Sequence, residues 1–114
     1  MSLFNREEVI DQNFTRCVAD EEFPKAKTEL YLSQNNIQKT ELISIFESQV
    51  ISRHIDIYAR ELKDKGECFY TIGSSGHEGN AVFGRLFPYS DIAFLHYRSA
   101  PFFLERSRQI PNST

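Results

Sequence analysis

The feature that most constrains this chain is one long helical pattern in its middle. Leu42, Phe46, Val50, Ile57 and Leu62 fall on or beside one helical face between residues 40 and 65. Gly66 then supplies a stop after Lys63 and Lys65, whose charges suit the negative end of a helix dipole. In 114 residues, enough for one ordinary domain or a piece of one, a helix of that length commits much of the core before anything else is placed.

Shorter elements are expected on either side. Asn5 can cap a helix that starts at residue 6, with Glu8 at the N3 position and Phe4 and Val9 bracketing the start. That helix runs into the region of Cys17, and Ile10, Phe14 and Cys17 or Val18 give it an apolar stripe. Pro24 marks a turn. Residues 27–32 are compatible with a helix, whereas Ser33-Gln34-Asn35-Asn36 favours local side-chain hydrogen bonds over helix continuation.

After Gly66, residues 68–72 read as a short strand or an extended buried connection. Ser75 and Glu78 have capping-box spacing ahead of Ala81-Val82-Phe83, which predicts a short helix over residues 76–86, ended by Pro88. Tyr89-Ser90-Asp91 reads as a turn and residues 92–95 as a second short buried stretch. Ser99-Ala100-Pro101 suits the first turn of a final helix presenting Phe102, Phe103 and Leu104. Residues 110–114 read as a frayed or cut end.

Composition removes several function classes. Ten Phe, five Tyr and 40% apolar residues are enough for a core and argue against disorder throughout. Thirteen basic against 16 acidic residues give a formal charge of -3 with no run of either sign, a poor basis for tracking nucleic acid. Cys17 and Cys68, with no secretory leader in residues 1–20, fit ordinary thiols of a reducing compartment. No run approaches 18 apolar residues, so the expected location is cytoplasmic.

Candidate chemistry is sparse. His54, His77 and His96 form no compact ligand motif, and His54 reads as a packing or boundary residue of the long helix. Ser74, Ser75 and His77 lack the G-x-S-x-G pattern of a hydrolase elbow, and the nearby glycines lack both the dinucleotide fingerprint and a P-loop lysine. His96-Tyr97-Arg98 is more informative. A guanidinium offers two parallel donors to phosphate oxygens and a phenol one more. On its own the pair reads more readily as a packed tyrosine beside a solvent-facing arginine.

Taken in order, these segments resemble the alpha chain of thiamine diphosphate-dependent 2-oxo acid dehydrogenases. The order is a long helix containing Arg53 and Asp56, then Phe69-Tyr70-Thr71-Ile72-Gly73-Ser74-Ser75-Gly76-His77-Glu78-Gly79, then Asp91-Ile92-Ala93-Phe94-Leu95-His96-Tyr97-Arg98. The resemblance covers about half the chain and leans slightly to the branched-chain type, because Ser99-Ala100-Pro101 stands where pyruvate enzymes often have His-Gly. It implies that Tyr97 and Arg98, with His96 beside them, contact the cofactor diphosphate. His77, Glu78 and Ser75 would be supporting or substrate-side residues.

The fold so implied is a mainly α fragment with short extended segments, the N-terminal portion of an α/β thiamine diphosphate-binding fold. Residues 1–39 would be a helical extension and residues 40–114 an incomplete part of the cofactor-binding domain. The implied function is part of the E1 component, an oxidoreductase that decarboxylates a 2-oxo acid and passes the acyl group to a lipoyl arm. The cofactors would be thiamine diphosphate and Mg2+ in the complete enzyme, with none bound by this piece alone, because the family's Gly-Asp-Gly metal segment has no counterpart here. Partners would be the remaining alpha part, a beta subunit or fused beta part and a lipoyl-bearing acyltransferase, in an oligomer, with neither nucleic acid nor membrane. The alternative is a small helical protein-interaction domain without catalysis, in which the aromatic-rich C-terminal third and the amphipathic helix between Leu42 and Leu62 form a partner face.

Overall fold

The computed structural model describes residues 4–25, 36–69 and 72–111. Their regular elements are all helical: α1 (Arg6–Asp20), α2 (Lys39–Asp64), a 3-10 turn (Glu78–Asn80) running into α3 (Ala81–Leu86), and α4 (Ala100–Ser107). The stretch expected to be helical at 27–32 and the polar residues 33–35 lie outside the described residues, as do residues 70–71 and 112–114.

The helix ends follow local chemistry. Asn5 caps α1, its side-chain oxygen accepting from the Glu8 N–H at 3.4 Å. At the start of α2, Gln38 and Glu41 form a reciprocal capping box, with Glu41 Oε2 accepting from the Gln38 N–H at 3.1 Å. Gly66 adopts φ +75, and the Gly66 and Glu67 N–H groups donate to the carbonyls of Lys63 and Leu62, each at 2.9 Å. That pair of bonds closes the Schellman stop of α2, and an L side chain at Gly66 would strain it.

No strand occurs among the described residues. The expectation of an α/β thiamine diphosphate-binding fold is therefore corrected, because that architecture is organised around a sheet and here helices pack only on helices. Residues 92–95 show where the reading failed. Expected to be buried, they lie outside, with Ile92 89% and Phe94 100% exposed. An apolar run reads as an interior strand only if a neighbour covers it and pairs its backbone, and none of the described segments does so.

The interior is unusual in chemistry. Among the described residues the buried apolar side chains are Ala81 and Phe102, together with Pro101. The others that are buried include Glu7, Ser48, Ser52, Asp56, Ser74, Ser99 and Glu105. The apolar face expected of α2 is not its most buried one: Phe46 is 48% exposed, while Ser48, Ser52 and Asp56, at four-residue spacing, point inward. Small hydroxyl residues let neighbouring backbone approach α2 closely, and their polarity is put to use. Glu105 on α4, fully buried, accepts from the Ser48 hydroxyl at 2.7 Å and from the Ser44 hydroxyl at 3.2 Å. Arg85 and Arg108 flank it at 3.9 and 3.8 Å.

α3 and α4 meet at Gly84, where an added Cβ would collide with the Phe102 carbonyl and stand 3.1 Å from the Arg106 nitrogen. α1 rests on α2 through the Phe14 and Phe46 rings, 5.9 Å apart, and through Arg60 on the buried Glu7 carboxylate at 2.6 Å. No helix of the described residues is long and apolar enough to cross a membrane.

Candidate functional site

The fold brings His77, expected as a supporting or substrate-side residue, beside the His96-Tyr97-Arg98 tripeptide expected at the cofactor diphosphate. His77 and His96 stand edge to face with ring centroids 5.5 Å apart, and His96 and Tyr97 likewise at 5.6 Å. The Arg98 guanidinium lies 5.3 Å from the Tyr97 ring centroid, a cation–π contact. Two turns create this arrangement. In the first, the His77 N–H donates to the Ser74 carbonyl at 2.9 Å, with Gly76 at φ +90, a conformation that favours glycine. In the second, the Ser99 N–H donates to the His96 carbonyl at 3.0 Å, and Ser99 Oγ accepts from the His96 N–H at 3.2 Å.

Several of these polar groups serve the fold. Arg98 Nη1 donates to the Gly73 carbonyl at 2.6 Å, tying the second turn to the first. Glu78 pairs with Arg53 of α2 and accepts from the Gly76 N–H at 2.8 Å. The expected capping box of Ser75 and Glu78 does not form. The Ser75 hydroxyl has no hydrogen-bond partner, and residue 77 occupies the N-cap position of the 3-10 turn. Gly76 in the left-handed region turns the chain before the helix starts, which moves the helix start beyond Ser75.

Behind the turns lies a pocket of about 340 Å³ lined by Asp56, Ser74, Tyr97 and apolar neighbours that include Ile55 and Ile72. Asp56 accepts from the Ser74 N–H at 2.6 Å. Burial holds the Asp56 carboxyl above its ordinary value of 3.8. The Glu7 and Glu78 charges push the same way, against the Ser74 N–H and Arg53. No group of three His, Cys, Asp or Glu side chains among the described residues is placed to hold a metal ion.

A second exposed feature is apolar. Phe83 and Phe87, one turn apart, form a groove with Ile92, Ala93 and the edge of Phe102, about 390 Å³ in volume and flanked by Asp91 and Arg106. Phe83 is 50% and Phe87 49% exposed. Leu86, 68% exposed, follows Phe83 by three residues on the same helix, and Phe94 follows Ala93. The loop that carries this surface is pinned from α4 and the turn after it. Arg106 donates to the Tyr89 carbonyl at 2.6 Å and to that of Asp91, while Gln109 donates to the Gly84 and Phe87 carbonyls, each at 2.8 Å. Gln109 also accepts from the Tyr89 N–H at 3.1 Å.

Sequence reasoning identified the aromatic richness of this third but not the pinning residues. Arg106 and Gln109 carry no motif, and only the fold brings them beneath residues 87–91.

No family model matches the chain, and neither a curated protein nor a solved structure matches it at a significant level. With an all-helical fold among the described residues, the reading as an oxidoreductase, the E1 component of a thiamine diphosphate-dependent 2-oxo acid dehydrogenase, is corrected together with its branched-chain refinement. That identity rested on an α/β architecture that these helices do not build.

Proposed function

We propose that this chain is a small helical protein-interaction domain that acts by binding rather than by catalysis, through the apolar face of α3 and residues 87–95. One observation carries the reading. Phe83, Leu86, Phe87, Ile92 and Phe94 are each about half exposed or more, while the buried apolar side chains of the described residues are few and small in total. Apolar surface is costly to leave in water, and a groove such as the one that Phe83, Phe87 and Ile92 share is a candidate contact site for another protein. The loop is also held in place by Arg106 and Gln109, so little ordering would remain to be done on binding.

The test is site-specific photo-crosslinking in cells. A photoreactive phenylalanine analogue at position 94 should give defined protein adducts, and the same analogue at exposed Lys63, on α2, should not. Equal or absent crosslinking at the two positions would defeat the proposal.

A further inference from the structure

We propose that the cavity behind the two turns binds a small organic ammonium ion, its charged head on Asp56 and its carbon body on the wall beside it. The cavity shares no lining residue with the groove at Phe83 and Phe87, so the proposal does not rest on the reading of that groove.

The first argument is charge. Glu7 of α1 and Asp56 of α2 converge on the first turn, where a Cβ added at Gly73 would meet both carboxylates. Glu78 acts on Asp56 as well. Glu7 has Arg60 at 2.6 Å and Glu78 has Arg53, but Asp56, 8% exposed, forms no ion pair among the described residues. It has the Ser74 N–H at 2.6 Å. Of the other ionisable groups at this end, the Cys68 thiol and the Tyr97 phenol line the cavity, and the Arg98 guanidinium is bonded to the Gly73 carbonyl. One negative charge is therefore left without a counter-ion. A buried carboxylate so placed is costly to keep ionised, and a cation brought beside it relieves that cost.

The second argument is the wall. Beyond Asp56, Ser74 and Tyr97, the cavity of about 340 Å³ is faced with carbon from Ile55, Ala59, Ile72 and Ala100. A bare hard metal ion takes several oxygen ligands, so one carboxylate in a largely apolar wall suits a cation that carries its own hydrocarbon. The Ser74 hydroxyl, on a residue 1% exposed that lines the same cavity, has no hydrogen-bond partner. It offers a second acceptor to an ammonium, which has three donors. Ile55 and Tyr97 are exposed, so the cavity opens to solvent on their side.

The experiment is titration of the full chain with n-butylammonium to tens of millimolar, followed by NMR at the Ser74 amide, which donates to Asp56. Saturable binding at pH 7 is expected, at least tenfold tighter than that of n-butanol, which has a similar body and no charge. The probe stays protonated from pH 4 to pH 7, whereas Asp56 must be ionised to pair with it, so affinity should rise across that range. Asp56→Asn, with its fold checked by circular dichroism, should reduce the affinity for n-butylammonium at least tenfold and abolish the rise with pH. No saturable shift at Ser74, equal binding of n-butanol, or unchanged affinity in the folded Asp56→Asn variant overturns the proposal. Nα-acetyl-lysine methylamide, run alongside, separates the two sources of such a head. Tighter binding than that of n-butylammonium assigns the ammonium to a lysine side chain, weaker binding assigns it to a free amine, and either keeps the site.

Discussion

The seam around Glu105 and the loop over residues 87–95 are held by neighbouring residues, Glu105 in the one and Arg106 in the other, and invert the usual order of a small domain. In the seam, a fully buried carboxylate collects two serine hydroxyls and lies between two guanidinium groups. In the loop, Ile92 and Phe94 stand in water and the attachments run through backbone carbonyls. Polar contacts thus specify how α2, α3 and α4 meet, while apolar surface is left over for something outside the chain. A buried charge is weak as a source of stability, because desolvation offsets much of the attraction, but it penalises every packing that fails to satisfy it.

The comparison breaks most severely at Glu105. Glu105→Ala strands the Ser48 hydroxyl inside and leaves Arg85 and Arg108 without their shared carboxylate, so a loss of about 3 to 5 kcal/mol is expected in urea unfolding. Glu105→Gln keeps an acceptor and should cost less. Equal losses for the two would show that side-chain shape, not hydrogen bonding, sets the seam. Next in size is Gly84→Ala. Its Cβ meets the backbone of Phe102, which has no rotamer to move, and the expected cost is about 2 to 3 kcal/mol by the same measurement.

A smaller effect, and one that depends on pH, belongs to Asp56. Its carboxyl is held above the ordinary 3.8 by burial. Between the unfolded and folded values, the folded state binds more protons than the unfolded one, so stability falls as pH rises through that window and stays reduced at neutral pH. Asp56→Asn keeps an oxygen for the Ser74 N–H and removes the charge. Its melting temperature should exceed that of the parent at pH 7, with the difference closing toward pH 3. A loss that instead grows from pH 3 to pH 7 would make the ionised carboxylate a required acceptor.

What the sequence made legible was local. Asn5, Gly66 and Pro101 mark helix ends because caps, left-handed turns and first-turn prolines act within a few residues, and α1, α2 and α4 form at those marks. The fold class was not legible, because residues 92–95 have the composition of a buried strand and only tertiary neighbours decide whether one forms. The inward stripe of α2 was hidden for a related reason. Apolar periodicity directs attention to Leu42, Phe46 and Val50, whereas Ser48 gains its place from a glutamate more than fifty residues away. At the predicted cofactor contacts, His96, Tyr97 and Arg98 were found side by side as the sequence places them. Their neighbours His77 and Gly73 came from the other turn.

The smallest expected effect sharpens the comparison most. Phe94→Ser removes a large ring that is 100% exposed, so it gives up no burial within the chain. The anchors of the loop, Arg106 and Gln109, hold the carbonyls of residues 87, 89 and 91 whatever side chain stands at position 94. The change in unfolding free energy should therefore stay within about 0.5 kcal/mol, the range of an ordinary surface substitution. A loss above about 1 kcal/mol would place Phe94 within the chain's own core, and the contrast between a polar interior and an apolar exterior would no longer hold.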